Sequence, residues 1–187
     1  MRGSEFMKGE QDIAVYRRVA IDVKNTFLVL AGASLLPVLF HLIPFSGEVP
    51  IGAMLLPIFY APFVGIVLCR PRVGIIAGLL APVVNSVITG MPAPDVVMML
   101  TIEMAIFTIL SSAVYSRWRN FIATAPLSYL AAKFLSSVIF GIVPSFAGAQ
   151  ASGMAFFLRS VFTGLPGIVM LLIVNWILVV FKKRVGI

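Results

Sequence analysis

Charged side chains are scarce in this chain of 187 residues, of which 11% are Asp, Glu, Lys or Arg and 60% are hydrophobic. A soluble globular domain carries about 25% charged residues, so a water-soluble surface is excluded here. The mean hydropathy of +1.08 leads to the same conclusion. We therefore expect an integral membrane protein whose outer surface contacts the lipid bilayer.

Cysteine and histidine occur only once each, as Cys69 and His41. A single cysteine excludes an internal disulfide and any metal site built from several cysteines. The HExxH zinc motif, the phosphate-binding P-loop and the GxSxG nucleophile motif are all missing from the sequence. We predict that the protein is not an enzyme and that it uses no cofactor and no metal.

The formal net charge is +7 at pH 7. A basic balance of this size is also found in nucleic-acid-binding proteins, but there the basic residues form one face. Here they stand between apolar runs, which is the pattern of membrane proteins. We therefore expect no nucleic-acid partner.

Six apolar stretches are long enough to cross a bilayer, which requires about 20 residues per helix. They are Thr26–Phe45, Ile51–Cys69, Val73–Met91, Val96–Tyr115, Phe121–Phe146 and Ala155–Phe181. Short separators between long helices make neighbouring spans antiparallel. A membrane barrel is excluded because no stretch alternates between apolar and polar residues. The sequence predicts an all-α fold, a bundle of six transmembrane helices.

The basic residues predict the orientation of this bundle. Twelve of the 14 lysines and arginines fall on one side of the six-span arrangement, in the N-terminal segment, two alternate loops and the C-terminal tail. Cytoplasmic loops of membrane proteins carry such an excess of basic residues. We expect a multi-pass protein with both termini in the cytoplasm.

Three regions follow from these patterns. Residues 1–6 have the character of an expression-tag remnant, with the natural start expected at Met7. Residues 7–25 are expected to be a cytoplasmic N-terminal segment with an interfacial helix. In residues 13–24 the apolar residues recur at helical spacing, and basic residues stand between them. Residues 26–187 form the predicted membrane domain.

Polar side chains within the spans are expensive in free energy and are therefore candidates for function. Five of them fall at a similar depth in the outer half: His41, Asn85, Glu103, Lys133 and Arg159. We expect them to line one ligand-binding cavity that opens outward. With a neutral histidine this set has a formal charge of +1, which favours an anionic ligand with Lys133 or Arg159 as its counter-ion.

Each of these residues also has a structural interpretation. Glu103 and Lys133 are suited to an ion pair that locks the fourth and fifth spans together. Arg159 has the length to reach the outer headgroups. His41 fits a packing role, and Asn85 fits a hydrogen bond between helices. The sequence leaves both sets of interpretations open.

Small and helix-breaking residues mark three further places. Gly74 and Gly78 form a GxxxG pattern, which predicts close packing of helices within the bundle. Gly164-Leu-Pro-Gly167 interrupts the sixth span, either as a packing kink or as the lining of a cavity. The first span carries a run of small residues that is a candidate docking surface for a partner subunit: Ala31, Gly32, Ala33 and Ser34.

A series of short motifs between the first and fourth spans resembles the substrate-binding S components of energy-coupling factor (ECF) transporters, the micronutrient importers of prokaryotes. The motifs cover about a third of the chain, and the six-span layout fits the rest. They are His41-Leu-Ile-Pro44, Pro57, Gly65, Cys69-Arg-Pro-Arg-Val-Gly74, Ala81-Pro82, Thr89-Gly-Met-Pro-Ala-Pro94 and Glu103.

The resemblance implies a high-affinity membrane subunit that binds a vitamin or related micronutrient from the external side. It implies delivery through a transmembrane coupling subunit powered by two cytoplasmic ATPases, in the cytoplasmic (inner) membrane of a prokaryote. Family members tend to dock through an Ala-x-x-x-Ala surface in the first span, from which this sequence departs because Leu35 follows four residues after Ala31. The alternative function is a non-enzymatic membrane scaffold of the cell envelope, which needs no ordered polar pocket.

Overall fold

The computed structural model describes residues 2–43, 51–142 and 153–185. All regular structure within these ranges is helical. The elements are α1 (Arg2–His41), α2 (Ile51–Leu55), a 3-10 turn (Pro57–Phe59), α3 (Tyr60–Val64), a π-helical turn (Gly65–Cys69), α4 (Pro71–Thr89), α5 (Pro94–Arg117), α6 (Thr124–Ile142), α7 (Gly153–Thr163) and α8 (Leu165–Val185).

Five helices are long and apolar enough to cross a membrane, within α1, α4, α5, α6 and α8. The described ranges also contain two shorter apolar helices, Pro57–Cys69 and Gly153–Thr163. The prediction of a helical fold with several membrane-length apolar helices is confirmed for the described residues, with five such helices in place of the six predicted spans. The predicted second and sixth spans are interrupted, and the predicted span ends at 44–45 and 143–146 lie outside the described residues.

Helix α1 is 40 residues long. At 1.5 Å per residue it extends over about 60 Å, roughly twice the thickness of the hydrocarbon core. The predicted interfacial segment 7–25 is continuous with the first span, since both belong to this one helix. The side chains of residues 11–20 are all exposed, so this part of α1 packs against no other described part of the protein.

The second segment, residues 51–69, runs antiparallel to α1. Gly32 of α1 lies close to Ala61, while Val29, one turn earlier, lies close to Gly65, four residues later. Close approach at both levels is possible because a glycine stands at each crossing point. The observed direction agrees with the up-and-down arrangement expected from the short loops.

The middle of the second segment forms the centre of the core. The Phe59 ring meets Phe107 of α5 at 5.0 Å and Tyr129 of α6 at 5.2 Å between centroids, both edge to face. Phe63 is 1% exposed and stacks obliquely on Phe107. Because neighbouring helices surround this segment, it has no need of a long uninterrupted helix of its own.

The helix of the second segment is broken at Leu56, which has a left-handed backbone conformation with φ of 55°. Pro57 follows and has no N–H group to continue a helical hydrogen-bond pattern. The Tyr60 hydroxyl donates a hydrogen bond to the Leu55 carbonyl, which the break would otherwise leave without a partner. Gly167 of α8 packs directly on this break, where a Cβ would meet the Leu56 side chain at 2.6 Å.

The GxxxG pattern of α4 packs within the bundle, as predicted. A Cβ on Gly74 would overlap the Pro62 carbonyl and would meet the Ile66 nitrogen at 2.7 Å. A Cβ on Gly78 would collide with the Thr108 methyl group of α5. The two glycines therefore let α4 approach the second segment and α5 together.

Basic side chains gather at one end of the bundle. Arg70 forms an ion pair of 3.1 Å with Asp22 of α1. Lys182 near the end of α8 donates hydrogen bonds to the Tyr115 hydroxyl at 2.7 Å and to the Val67 carbonyl at 3.2 Å. The end that the sequence assigns to the cytoplasm is thus held together by contacts of its own basic residues.

The Gly74→Ala variant should lower the free energy of unfolding by about 1–3 kcal/mol, the usual cost of overpacking, because the new Cβ meets rigid backbone atoms. Gly141→Ala in α6 is the matched control, since its Cβ would meet nothing closer than 3.9 Å. Thermal unfolding of the detergent-solubilised protein gives the unfolding midpoint of each variant. Equal midpoints for the two variants would contradict the packing described here.

Candidate functional site

A cavity of about 470 Å³ lies among α1, the second segment, α4 and the beginning of α5. It is at the end of the bundle opposite the basic residues, near the last turns of α1 and α4. Its lining residues are Ser34, Pro37, Val38, Leu42, Gly52, Pro57, Ile58, Asn85, Thr89, Met91, Pro92 and Leu100.

The cavity has the size and composition of a small-molecule site. Binding pockets commonly measure about 300–1,000 Å³ and combine an apolar lining with a few polar groups. Here the polar side chains in the lining are Ser34, Asn85 and Thr89. Among the residues that the structure describes in this lining, none is ionisable.

Asn85 connects α4 to α1 and also forms part of the cavity wall. It is 3% exposed, and its Nδ2 donates a hydrogen bond of 3.3 Å to the Ala33 carbonyl. Its Oδ1 is buried and has no hydrogen-bond partner among the described residues. The hydrogen bond between helices that the sequence allowed is therefore present, and one acceptor of the amide remains unused.

Ser34 is a second polar residue of the cavity wall with unused hydrogen-bonding capacity. Its side chain is 9% exposed, and its hydroxyl has no hydrogen-bond partner in the described part of the chain. A buried hydroxyl or amide without a partner costs about 1–3 kcal/mol. Ser34 and Asn85 are thus two lining residues of one cavity that each carry a buried polar atom without a partner among the described residues.

Glu103 and Lys133 form a buried ion pair between α5 and α6. The Lys133 Nζ lies 2.8 Å and 2.7 Å from the two carboxylate oxygens of Glu103. Ser136 adds a hydrogen bond of 3.4 Å to the same carboxylate. The ion pair that the sequence allowed is present, and each charge has the other as its partner because both side chains are buried.

Aromatic rings enclose the Lys133 ammonium on its other sides. It lies 5.3 Å from the ring centre of Phe156 on α7 and 5.9 Å from that of Tyr129. These distances are within the range of cation–π attraction. Helix α7 therefore covers the ion pair.

The structure does not bring the five predicted ligand-binding residues together. Glu103 and Lys133 contact each other and do not line the cavity, whereas Asn85 does. Arg159 lies on α7 with an exposed side chain. His41 ends α1, and its side chain is outside the described residues. A ligand contact by the residues other than Asn85 stays a prediction without support from this geometry.

The four predicted docking residues differ in their exposure. Ala33 is fully buried and Ser34 nearly so, which turns both toward the interior of the protein. Gly32 is half-buried against Ala61, and only Ala31 is exposed. Of the four, Ala31 alone is available to a partner subunit.

The turn after α4 is a part of the site that sequence reasoning did not assign. Gly90 has φ of 72°, which suits glycine and ends the helix. The Thr89 hydroxyl donates to the Met91 carbonyl at 3.0 Å, and the Ser86 hydroxyl donates to the Pro92 carbonyl at 2.9 Å. The Thr-Gly-Met-Pro motif was a signal for this turn, which brings Met91 and Pro92 into the cavity wall.

A metal site has no support in the described ranges. No three His, Cys, Asp or Glu side chains come close enough there to hold a metal ion. The described lining residues of the cavity offer hydrogen bonding and apolar contact.

The Lys133→Met variant should be destabilised by about 3–5 kcal/mol, since it leaves the Glu103 carboxylate buried without a partner. The Glu103→Gln/Lys133→Met double variant removes both charges and should recover most of this loss. A double-mutant cycle on unfolding free energies in detergent measures the coupling. Additive effects of the two single substitutions would show that the pair is not a coupled structural element.

Comparison of the chain with protein-family models, with curated proteins and with solved structures gives no significant match.

Proposed function

We propose that this protein is the substrate-binding subunit of an ECF-type importer for a vitamin or related micronutrient. It binds its substrate from the external side of a prokaryotic cytoplasmic membrane. A transmembrane coupling subunit and two cytoplasmic ATPases then deliver the substrate into the cell.

The observation that supports this proposal best is the cavity of about 470 Å³ with unpartnered polar atoms in its wall. A membrane scaffold has no need of a cavity among its helices, and a structural bundle gains stability by filling one. A substrate-binding subunit requires such a space. The motif-bearing residues Pro57, Thr89, Met91 and Pro92 line it.

The position of the cavity agrees with uptake from outside. Basic residues mark the cytoplasmic end of a membrane bundle. The ion pair of Arg70 and the contacts of Lys182 lie at that end, and the cavity lies at the other. An external substrate therefore reaches the cavity without crossing the bundle.

The exposed face of α1 supports docking on a coupling subunit. Leu28, Leu35 and Leu39 are each about 60% exposed, and Ala31 is exposed between them. With 3.6 residues per turn, these four positions fall on one side of the helix. An apolar stripe with a small residue at its centre permits close approach of another transmembrane helix.

Affinity purification of this protein from its native membrane should recover a coupling subunit and two ATPases of the ABC type. The reason is that a chain without a P-loop depends on partners for energy. Mass spectrometry of the purified complex identifies the subunits. Recovery of cell-envelope synthesis enzymes in their place would favour the scaffold function and overturn the proposal.

The Ala31→Trp variant should abolish ATP-driven uptake of the substrate while the isolated protein still binds it, because the bulky ring blocks the α1 stripe. Ala113→Trp is the matched control, since Ala113 is also exposed but lies on α5. Uptake into proteoliposomes that contain the whole transporter provides the measurement. Normal uptake by the Ala31 variant would exclude this face as the docking surface.

A further inference from the structure

The hydrogen bond of Asn85 fixes the orientation of its side-chain amide. A backbone carbonyl only accepts hydrogen bonds, so the group facing the Ala33 carbonyl at 3.3 Å is the NH₂ group. The carbonyl oxygen Oδ1 is then the free end of the amide, and it has no partner among the described residues. Asn85 thus offers a ligand an acceptor.

The other polar groups that line the cavity offer a ligand few further hydrogen bonds. The Thr89 hydroxyl has a single hydrogen, which the backbone carbonyls of Asn85 at 2.7 Å and of Met91 at 3.0 Å already engage, so it has no further proton to donate. The Ser34 hydroxyl is unpartnered and can accept or donate. Three of the lining residues are prolines, which have no N–H group to donate.

Among the described lining residues there is no counter-ion for an anion. The described lining residues include no lysine, arginine or histidine. The ammonium of Lys133 is neutralised by Glu103 at 2.7 Å, and the Arg159 side chain is exposed on α7. A carboxylate in this cavity would lose hydration without gaining a cationic partner among the described residues, which is unfavourable.

From these three features we infer that the cavity takes an uncharged, mostly apolar molecule that donates a hydrogen bond to the Asn85 Oδ1, with Ser34 as a second contact. A primary amide, a ring N–H or a hydroxyl supplies such a donor. The inference replaces the anionic ligand expected from the sequence. It deepens the proposed function, because it uses the same cavity, but it concerns the isolated protein alone.

Matched pairs of an acid and its amide test this ligand class: nicotinate with nicotinamide, biotin with biotinamide, and lipoate with lipoamide. Each is added at millimolar concentration to the full-length protein in detergent, and binding is measured by the shift in thermal unfolding and by calorimetry. At least one amide should bind, with an affinity at least tenfold higher than that of its acid. Tighter binding of the acids, or no binding of any amide, overturns the inference.

Two variants locate the contact. Ser34→Ala and Asn85→Leu should each lower the affinity for the amide about 2- to 10-fold, which is the effect of losing one hydrogen bond. Ser111→Ala is the matched control, because Ser111 also carries a buried, unpartnered hydroxyl but does not line the cavity. If Asn85→Leu fails to fold, the comparison of amide affinity between the Ser34→Ala and Ser111→Ala variants tests the contact. Equal affinity in the Ser34 and Ser111 variants overturns the assignment of the contact.

This experiment and the test of the proposed function fail independently. Binding of an amide by the isolated protein does not depend on a coupling subunit or an ATPase. Purification of the complex does not depend on which molecule occupies the cavity. A scaffold that binds amides and an importer that binds acids would therefore give different pairs of results.

Discussion

The ion pair between Glu103 and Lys133 governs how the few polar groups within this bundle are distributed. Either charge alone would be very costly between α5 and α6, so the two side chains must stay together. Their contact of 2.7 Å ties the two helices and uses up the most deeply placed cation of the described residues. The described residues that line the cavity are all uncharged.

The interrupted helix of the second segment has a similar influence on the shape of the interior. An unbroken helix over 51–69 would keep Leu56 helical, and Pro57, which has no N–H group, would then leave the Ala53 carbonyl without its helical donor. The break is tolerated because Tyr60 provides a donor to Leu55 and because α8 covers the site with Gly167. It also directs Pro57 and Ile58 into the cavity wall. Local irregularity of the backbone and the presence of a cavity are thus linked.

Composition and periodicity predicted the membrane class, the helices and the tight packing at Gly74 and Gly78, because these depend on local patterns. They did not predict the break at Leu56, although Pro57 disfavours helix in the residue before it. Nor did they separate Asn85 from Glu103, since depth along a helix does not tell which neighbour a side chain faces. Ser34 was assigned to an outer surface for the same reason. Helix rotation is decided by tertiary packing, which a single sequence does not display.

Lys182 contributes both to the charge of the C-terminal tail and to contacts within the bundle. It belongs to the basic tail from which the sequence predicts the orientation in the membrane, and in the folded bundle it joins α8 to Tyr115 and to the carbonyl of Val67. Removing its charge therefore changes the insertion signal and the stability together. Lys183 and Arg184 are exposed and make no such contacts in the described structure. Engineering of the membrane topology is cleaner at those two positions, where the signal can be altered without loosening the bundle.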